Sequence, residues 1–243
     1  MNWAQALSRF FPSRGAKLGA EVRPDRSLPA MPHGYDALLG NVALHKVLQE
    51  KDFQSALDVG SGAGKHAQLM ESRGKSVTRF DFGKSRAYVR DESTVRGDFL
   101  TYDFGDNRWD LVWACHVLEH SIYPHAFLQK LRKVCSEGGF VAVTVPPAKP
   151  EFVGGHVSLW TPALLAYRMV LAGFDCSHAT LLRYGYNISI IVDNLAADVD
   201  LADLAWDFND IERIQRFLPP DCLPGVNGEH VGLSFVGARS YFC

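Results

Sequence analysis

The sequence predicts an α/β protein: a mostly parallel sheet of seven strands, helices on both faces, and an antiparallel hairpin at one edge. Three observations carry this. Between residues 35 and 195, apolar runs of strand length alternate with segments of helical spacing, the pattern of crossover units that lay helices over a parallel sheet. The strand runs are nearly continuous in apolar residues, as in sheets covered on both faces. The last two runs, CSHATLLRYG and YNISIIVDN, follow one another closely enough to pair as a hairpin.

The elements follow in order. Residues 1–34 form an N-terminal segment ending in the Pro-rich RPDRSLPAMPHG. YDALLGNVALHKVLQE has helical spacing, with Leu38, Val42 and Leu48 on one apolar face. FQSALDVG reads as a buried strand ending in glycine, and KHAQLMESRG as a helix closed by Gly74. SVTRFDF, STVRGDF and RWDLVWACHVL are the next three strands. YPHAFLQKLRKVCSEGG is a helix with Ala126, Leu128, Leu131 and Val134 inward, ended by Gly138 and Gly139. FVAVTVPP is a fifth strand with a proline stop. TPALLAYRMVLAGF begins with a Thr cap and a first-turn Pro and stops at Gly173. Beyond the hairpin, Leu201, Leu204, Phe208, Ile211, Ile214 and Leu218 predict an acidic amphipathic helix over 199–218, and LSFVGARSYF a last strand. The expected organisation is an N-terminal segment or lid at 1–34, a catalytic domain at 35–195, and an extension at 196–243 packed on the domain. A homodimer surface is the rival reading of that extension.

Composition narrows the function. The 25 Lys and Arg against 27 Asp and Glu leave a net charge of −2, without the basic excess of a nucleic-acid footprint. No apolar run reaches the roughly 18 residues of a membrane-spanning helix. The start, MNWAQALSRFFPSRGAKLG, lacks the features of a secretory signal; its apolar and basic residues suit either a membrane surface or a helix packed on the domain. The five cysteines are odd in number and include no C-x-x-C pair. They suggest neither a disulfide framework nor a zinc ribbon, and fit a reducing cytoplasm.

The strongest motif is ALDVGSGAGKH, residues 56–66, where Gly60, Gly62 and Gly64 alternate after a strand. Glycine there permits positive φ and close approach of a ligand to the backbone. The spacing fails the P-loop, which needs four residues between its glycines and Ser or Thr after the lysine. It fails the dinucleotide fingerprint too, because Lys65 stands where the third glycine belongs. Asp81 ends the second strand 21 residues after Gly60. An acid at that point can accept hydrogen bonds from both hydroxyls of a ribose.

The run Asp58-Val59-Gly60-Ser61-Gly62-Ala63-Gly64 resembles motif I of the class I S-adenosylmethionine-dependent methyltransferases. WDLVWACHVLEH resembles the family's fourth motif, and LRKVCSEGGFVAVTVPP and HVSLWTPALLAYRMVLAGF resemble the segments that follow it. The resemblance spans about residues 36–192, in the family's order, and is strongest to the type 11/23 group of bacterial members. It implies a Rossmann-like fold, S-adenosylmethionine as cofactor, and a cofactor site of Asp58, Gly60, Ser61, Gly62 and Gly64 with Asp81 and Phe82 on the ribose side. By the same resemblance Asp98 would meet the adenine amino group and Phe99 its ring. Cys115 reads as a small core residue bordering the cofactor.

Methyl transfer to a hydroxyl requires alignment, exclusion of water and removal of a proton. Histidine is the natural base near neutral pH. His116, Glu119 and His120 lie just past the fourth strand, where ligands of open parallel sheets bind. His156, after a glycine pair beyond the fifth strand, is a further base, and Trp160 a wall of the acceptor site. His120, His156 and His116 are therefore the catalytic candidates, with Glu119 and Trp160 on the substrate. Glu119-His120 resembles the LEH segment of ubiquinone-pathway O-methyltransferases, some of which bind a divalent cation through E-x-x-E-H. His116 replaces the first of those acids, which disfavours a hard cation such as Mg²⁺; a zinc or nickel site of His116, Glu119 and His120 is chemically possible, but no metal is expected. The expected reaction is O-methylation of a small molecule or glycan. N-methylation of an amine and cofactor binding without turnover are the alternatives, and a nucleotide-dependent oxidoreductase a more distant one.

Overall fold

The computed structural model describes residues 37–207 and 210–220. Among them the chain forms α1 (Asn41–Glu50), β1 (Ser55–Val59), α2 (Lys65–Glu71), β2 (Ser76–Asp81), β3 (Thr94–Arg96) and β4 (Trp109–Cys115). A 3₁₀ turn at Leu118–His120 leads to α3 (Pro124–Val134), β5 (Cys135–Val145), α4 (Pro162–Leu171), β6 (Thr180–Tyr184) and β7 (Asn187–Asp193). Two 3₁₀ turns, Leu201–Asp203 and Gln215–Phe217, flank the short α5 (Asp210–Ile214). The seven strands described make one sheet in the order β3-β2-β1-β4-β5-β7-β6. β1 to β5 pair in parallel, and β7 pairs antiparallel with both β5 and β6. The expected Rossmann-like sheet is present, with the hairpin folded back so that β6 is outermost.

Successive side chains of a strand point to opposite faces, and the sequence fills both. Leu57, Val59, Val112, Ala114, Val141 and Val143 meet α3 and α4 through Leu128, Leu131, Leu165 and Met169. On the other face Ala56, Leu111, Trp113, Phe140 and Ala142 meet α1 and α2 through Ala43, Leu44, Val47, Leu69 and Met70. Each fully buried side chain of Leu or Met size contributes about 1.5–3 kcal/mol. α4 starts as its sequence demands: Thr161 Oγ1 accepts from the Leu164 N–H at 3.1 Å, and Pro162 takes the first turn.

Several sequence expectations need correction. The first helix begins at Asn41 rather than Tyr35, because Gly40 adopts a left-handed φ of 73° as its N-cap, and its buried face is Ala43, Leu44 and Val47. α3 stops at Val134 and buries Phe127, whereas Ala126 is exposed. The Gly138-Gly139 pair belongs to β5, where the register shifts between Trp109 and Leu111 of β4. A Cβ at Gly139 would lie 2.7 Å from the Asp110 carbonyl oxygen, so the bulge admits no side chain there.

The helix expected over 199–218 is broken. Asp200 caps Ala202, and Asp210 accepts from the backbone N–H groups of Ala205, Trp206 and Asp207. Short acidic side chains compete with helical hydrogen bonds in this way, and Trp206 takes a φ of 60°. Leu204, Ile214 and Leu218 still bury against the α3/α4 face. The N-terminal segment 1–34 and LSFVGARSYF lie outside the described residues.

Candidate active site

β1 ends in the glycine loop. Gly60, Gly62 and Gly64 all have positive φ, at 77°, 56° and 71°. Gly60 also packs tightly, since a Cβ there would stand 3.0 Å from the Val117 side chain beyond β4. Asp81, 5% exposed at the end of β2, accepts from the Gly62 N–H at 2.9 Å and the Gly83 N–H at 2.6 Å. The acid and the loop are thus one assembly. Behind it Arg79 ties Glu71 to Asp91, each at 2.7 Å, with its guanidinium under Gly64. Asp58 is 1% exposed, and its Oδ2 has no hydrogen-bond partner. Burial pushes its carboxyl up to about 7; the Ala67 backbone N–H and Arg79 oppose this, and Asp81 and Glu71 add to it. Ser61 Oγ is likewise buried without a partner.

Three positively twisted glycines, two orphaned buried polar groups and an acid at the neighbouring strand end fit an adenosyl cofactor. The strap from Gly83 to Asp91 lies across this loop: the Val89 N–H donates to the Gly62 carbonyl at 3.3 Å, and Ala87 packs over Gly62. Phe82, at the start of the strap, is 56% exposed with Lys84 over its ring.

The two residues expected on the adenine side lie on the turn after β3. Asp98 is exposed and accepts from the Leu100 N–H at 2.9 Å, closing its own turn. The Phe99 ring is turned into the core, 6% exposed, against Phe80, Phe104 and Phe127. Cys115 is the small core residue its sequence suggests: its Sγ lies 3.5 Å from the Leu39 carbonyl oxygen and packs against the Gly40 position. Burial, reinforced by Asp58 and Glu119, raises its pKa well above that of a free thiol. Trp160 is 2% exposed and lies in the core rather than on a pocket wall.

Past β4 the four polar candidates converge. His116 takes a φ of 53°, an uncommon conformation for a non-glycine residue, and bridges two partners. Its Nε2 is 3.0 Å from Asn187 Oδ1, and its Nδ1 is 3.3 Å from Glu119 Oε1. Asn187 Oδ1 also accepts from the Gly40 N–H, while its Nδ2 donates to the Tyr184 carbonyl. The Asn187 oxygen therefore faces His116, and His116 Nε2 carries a proton. Glu119 is 1% exposed, and neither of its carboxylate oxygens has a hydrogen-bond donor in proper geometry. His120 Nδ1 lies 2.7 Å from the Gly155 carbonyl oxygen, which can only accept, so Nδ1 carries that ring's proton. His120 Nε2 then faces Glu119 Oε1 at 3.9 Å. The His156 ring stands edge-on to His120, with centroids 5.1 Å apart.

The loop from Pro146 to Leu159 wraps the cluster, the Val157 N–H donating to the Glu119 carbonyl at 2.9 Å. It encloses a cavity of about 260 Å³, lined among others by Pro147, Phe152, His156, Leu159 and Tyr186. A second cavity of about 310 Å³ borders Ser55, Thr78 and Trp109, at the amino-terminal ends of the strands. The smaller cavity lies at the carboxyl ends of the strands, where ligands of open parallel sheets bind. Asn187, Tyr186 and Arg79 escaped the sequence reading. Only the polar Asn187 at the head of an apolar strand gave a signal.

Sheet order, glycine loop and acidic β2 end make a Rossmann-like domain of the kind found in class I S-adenosylmethionine-dependent methyltransferases. Residues 57–143 match the family model of a methyltransferase domain, which supports methyltransferase activity with S-adenosylmethionine as cofactor. Solved structures share the fold. A SAM-dependent methyltransferase from Archaeoglobus fulgidus is 13% identical, with 63% of this chain and 93% of that chain covered at a TM-score of 0.50. An O-methyltransferase family protein from Burkholderia thailandensis is 12% identical, with 65% and 57% covered at 0.51. A 1,6-didemethyltoxoflavin N1-methyltransferase from the same organism, bound to S-adenosylhomocysteine, is 16% identical, with 63% and 75% covered at 0.49. No curated protein gives a significant match. Among the described residues no helix is long and apolar enough to cross a membrane.

Proposed function

We propose that this enzyme methylates a hydroxyl of a small molecule or glycan held in the cavity beside His156. One observation carries the reading: Glu119, His120 and His156 gather at the carboxyl ends of the strands that carry the glycine loop, with the cavity opening next to them. The bound cofactor supplies an electrophilic methyl group on a sulfonium. The chain's own residues hold and deprotonate the acceptor. Asp81 and the glycine loop it braces hold the adenosyl portion. His120, its Nδ1–H fixed on Gly155, presents the lone pair of Nε2 as proton acceptor, and His156 borders the acceptor. Glu119, backed by His116 and Asn187, keeps the cluster electronegative. Cavity walls of proline, phenylalanine and tyrosine suit an acceptor with an apolar or ring-shaped body. The buried, unpaired thiols of Cys115 and Cys135 suit a reducing cytoplasm.

Calorimetric titration with S-adenosylhomocysteine, followed by methyl-transfer assays on hydroxyl and amine acceptors, tests this. Micromolar binding with turnover of hydroxyl acceptors only is the expected outcome. Turnover confined to amines would replace O- by N-methylation, and binding without any turnover would leave a non-catalytic protein.

A further inference from the structure

The cluster contains an electrostatic contradiction. His120 Nε2 presents a lone pair, because the ring's proton sits on Nδ1 against the Gly155 carbonyl. Facing it at 3.9 Å is an oxygen of Glu119, a carboxylate 1% exposed whose oxygens lack hydrogen-bond donors. The Glu119 oxygens are buried without a donor, and the half-exposed His120 ring offers Oε1 only a lone pair, so the carboxylate calls for something positive beside it. A proton would serve for two groups. Here a third donor converges, since one ligand atom each of Glu119, His120 and His156 lies within 4.8 Å of the others.

We propose that Glu119, His120 and His156 form a binding site for a borderline divalent metal ion, of which Zn²⁺ is the representative. The donor set selects the ion: two imidazoles and one carboxylate suit zinc and its neighbours, whereas Mg²⁺ prefers oxygen ligands alone. Tetrahedral zinc holds its ligands about 2.0–2.2 Å away, so the donors must draw together by roughly an ångström. His120 has a side chain 46% exposed, and His156 sits on a loop; both can make that movement.

The surroundings resemble those of a metal centre rather than of surface histidines. Ligand imidazoles usually give their other N–H to a carbonyl, as His120 does to Gly155. His116, its ring anchored on Asn187, stands beside the same Glu119 oxygen, with Nδ1 3.3 Å from Oε1. Gly155 is required where it stands: its φ is 81°, and a Cβ would come 3.1 Å from His120 Nδ1. His156 also lines the 260 Å³ cavity, so the fourth coordination position faces acceptor space. A hydroxyl beside a bound ion would lose its proton more readily; Nε2 of His120 would then serve as a ligand, and it keeps the role of proton acceptor in the metal-free chain. The site stands on side-chain geometry and does not depend on the methyl-transfer reading.

The test uses the untagged full chain stripped with EDTA and titrated calorimetrically with ZnCl₂ and, separately, MgCl₂. One Zn²⁺ per chain and no Mg²⁺ heat are expected. His156→Ala and Glu119→Gln should each weaken Zn²⁺ binding by about 100-fold or more. His156 lies on a loop, so its variant keeps the fold even where Glu119→Gln does not. S-adenosylhomocysteine titration of the same samples reports that integrity. Co²⁺ substituted into the protein should show the intense visible bands of four-coordinate N/O ligation, lost in His156→Ala. Absence of stoichiometric Zn²⁺ binding would overturn the site. So would binding that survives both variants, because it would assign the ion to other histidines. The two titrations are read independently, so failure of cofactor binding would leave the metal result standing.

Discussion

Asp58 is the residue whose chemistry is most exposed to pH. It sits 1% exposed at the end of β1, with Oδ2 unpartnered, and burial pushes its carboxyl from 3.8 to about 7. A folded-state pKa above the unfolded one means that the folded protein holds the proton more tightly. The associated stability is complete below about pH 4 and is lost as pH rises to about 7. At about 1.4 kcal/mol per unit, a shift of about three units is worth on the order of 4 kcal/mol across that window. Asp58→Asn removes the charge at nearly constant shape. Urea unfolding of both proteins at half-unit steps from pH 5 to 8 measures the difference. The variant should gain on the native protein as pH rises, by about 1.4 kcal/mol per unit at first and levelling off near pH 7. A difference that does not change with pH would refute the reasoning, and would mean that water or the cofactor loop already solvates the carboxylate.

Asp81→Ala should weaken S-adenosylhomocysteine binding by about 1–3 kcal/mol in calorimetry, from charge-assisted hydrogen bonds lost at the loop; unchanged affinity would remove Asp81 from the cofactor site. His120→Ala and His156→Ala should each lower turnover by about 10²–10⁴-fold with cofactor affinity kept, and full activity in both would end their catalytic assignment. Gly155→Ala should lower turnover without altering cofactor affinity, because its Cβ would press on His120 Nδ1 from 3.1 Å; equal steady-state rates would show that His120 needs no fixed orientation. Because the strap at 85–89 crosses Gly62, S-adenosylhomocysteine should change amide exchange there, and an unaltered exchange pattern would separate the strap from the cofactor site.

The sheet was legible because its central strands β1, β4, β5 and β7 carry apolar runs buried on both faces and are followed by a glycine, proline or polar residue. The glycine loop was legible because only glycine tolerates three left-handed residues in alternation. Element ends were less so. Gly138 and Gly139 look like a helix stop in sequence, yet their role is set by the Asp110 carbonyl of the neighbouring strand. Residues 199–218 keep helical spacing, but aspartates at 200 and 210 take the backbone donors that a helix would use. Phe99 and Trp160 carry ring chemistry suited to a ligand, and burial decided against it. Asn187 is distant in sequence from His116, so its part in fixing the His116 ring depends on β7 lying beside β5, a long-range pairing that no local pattern encodes.

The position of the site follows from the order in which the strands are laid down. From β1 the chain steps outward to β2 and β3, then returns to place β4 on the other side of β1. Connections leaving β1 and β4 therefore diverge, and the crevice between their carboxyl ends is where such sheets bind ligands. Gly60 follows β1 and Val117 follows β4, and the two meet at van der Waals distance. Val117 is flanked by His116, whose ring leans on Glu119 and Asn187. The cofactor loop is thus one residue's packing away from the acceptor cluster. Gly60→Ala joins a strained φ of 77° to a Cβ 3.0 Å from Val117, and so should disturb both halves at once. Calorimetry should show weaker S-adenosylhomocysteine binding, and turnover at saturating cofactor should fall as well. Were saturating cofactor to restore the native rate, the two halves would be energetically separate despite their contact.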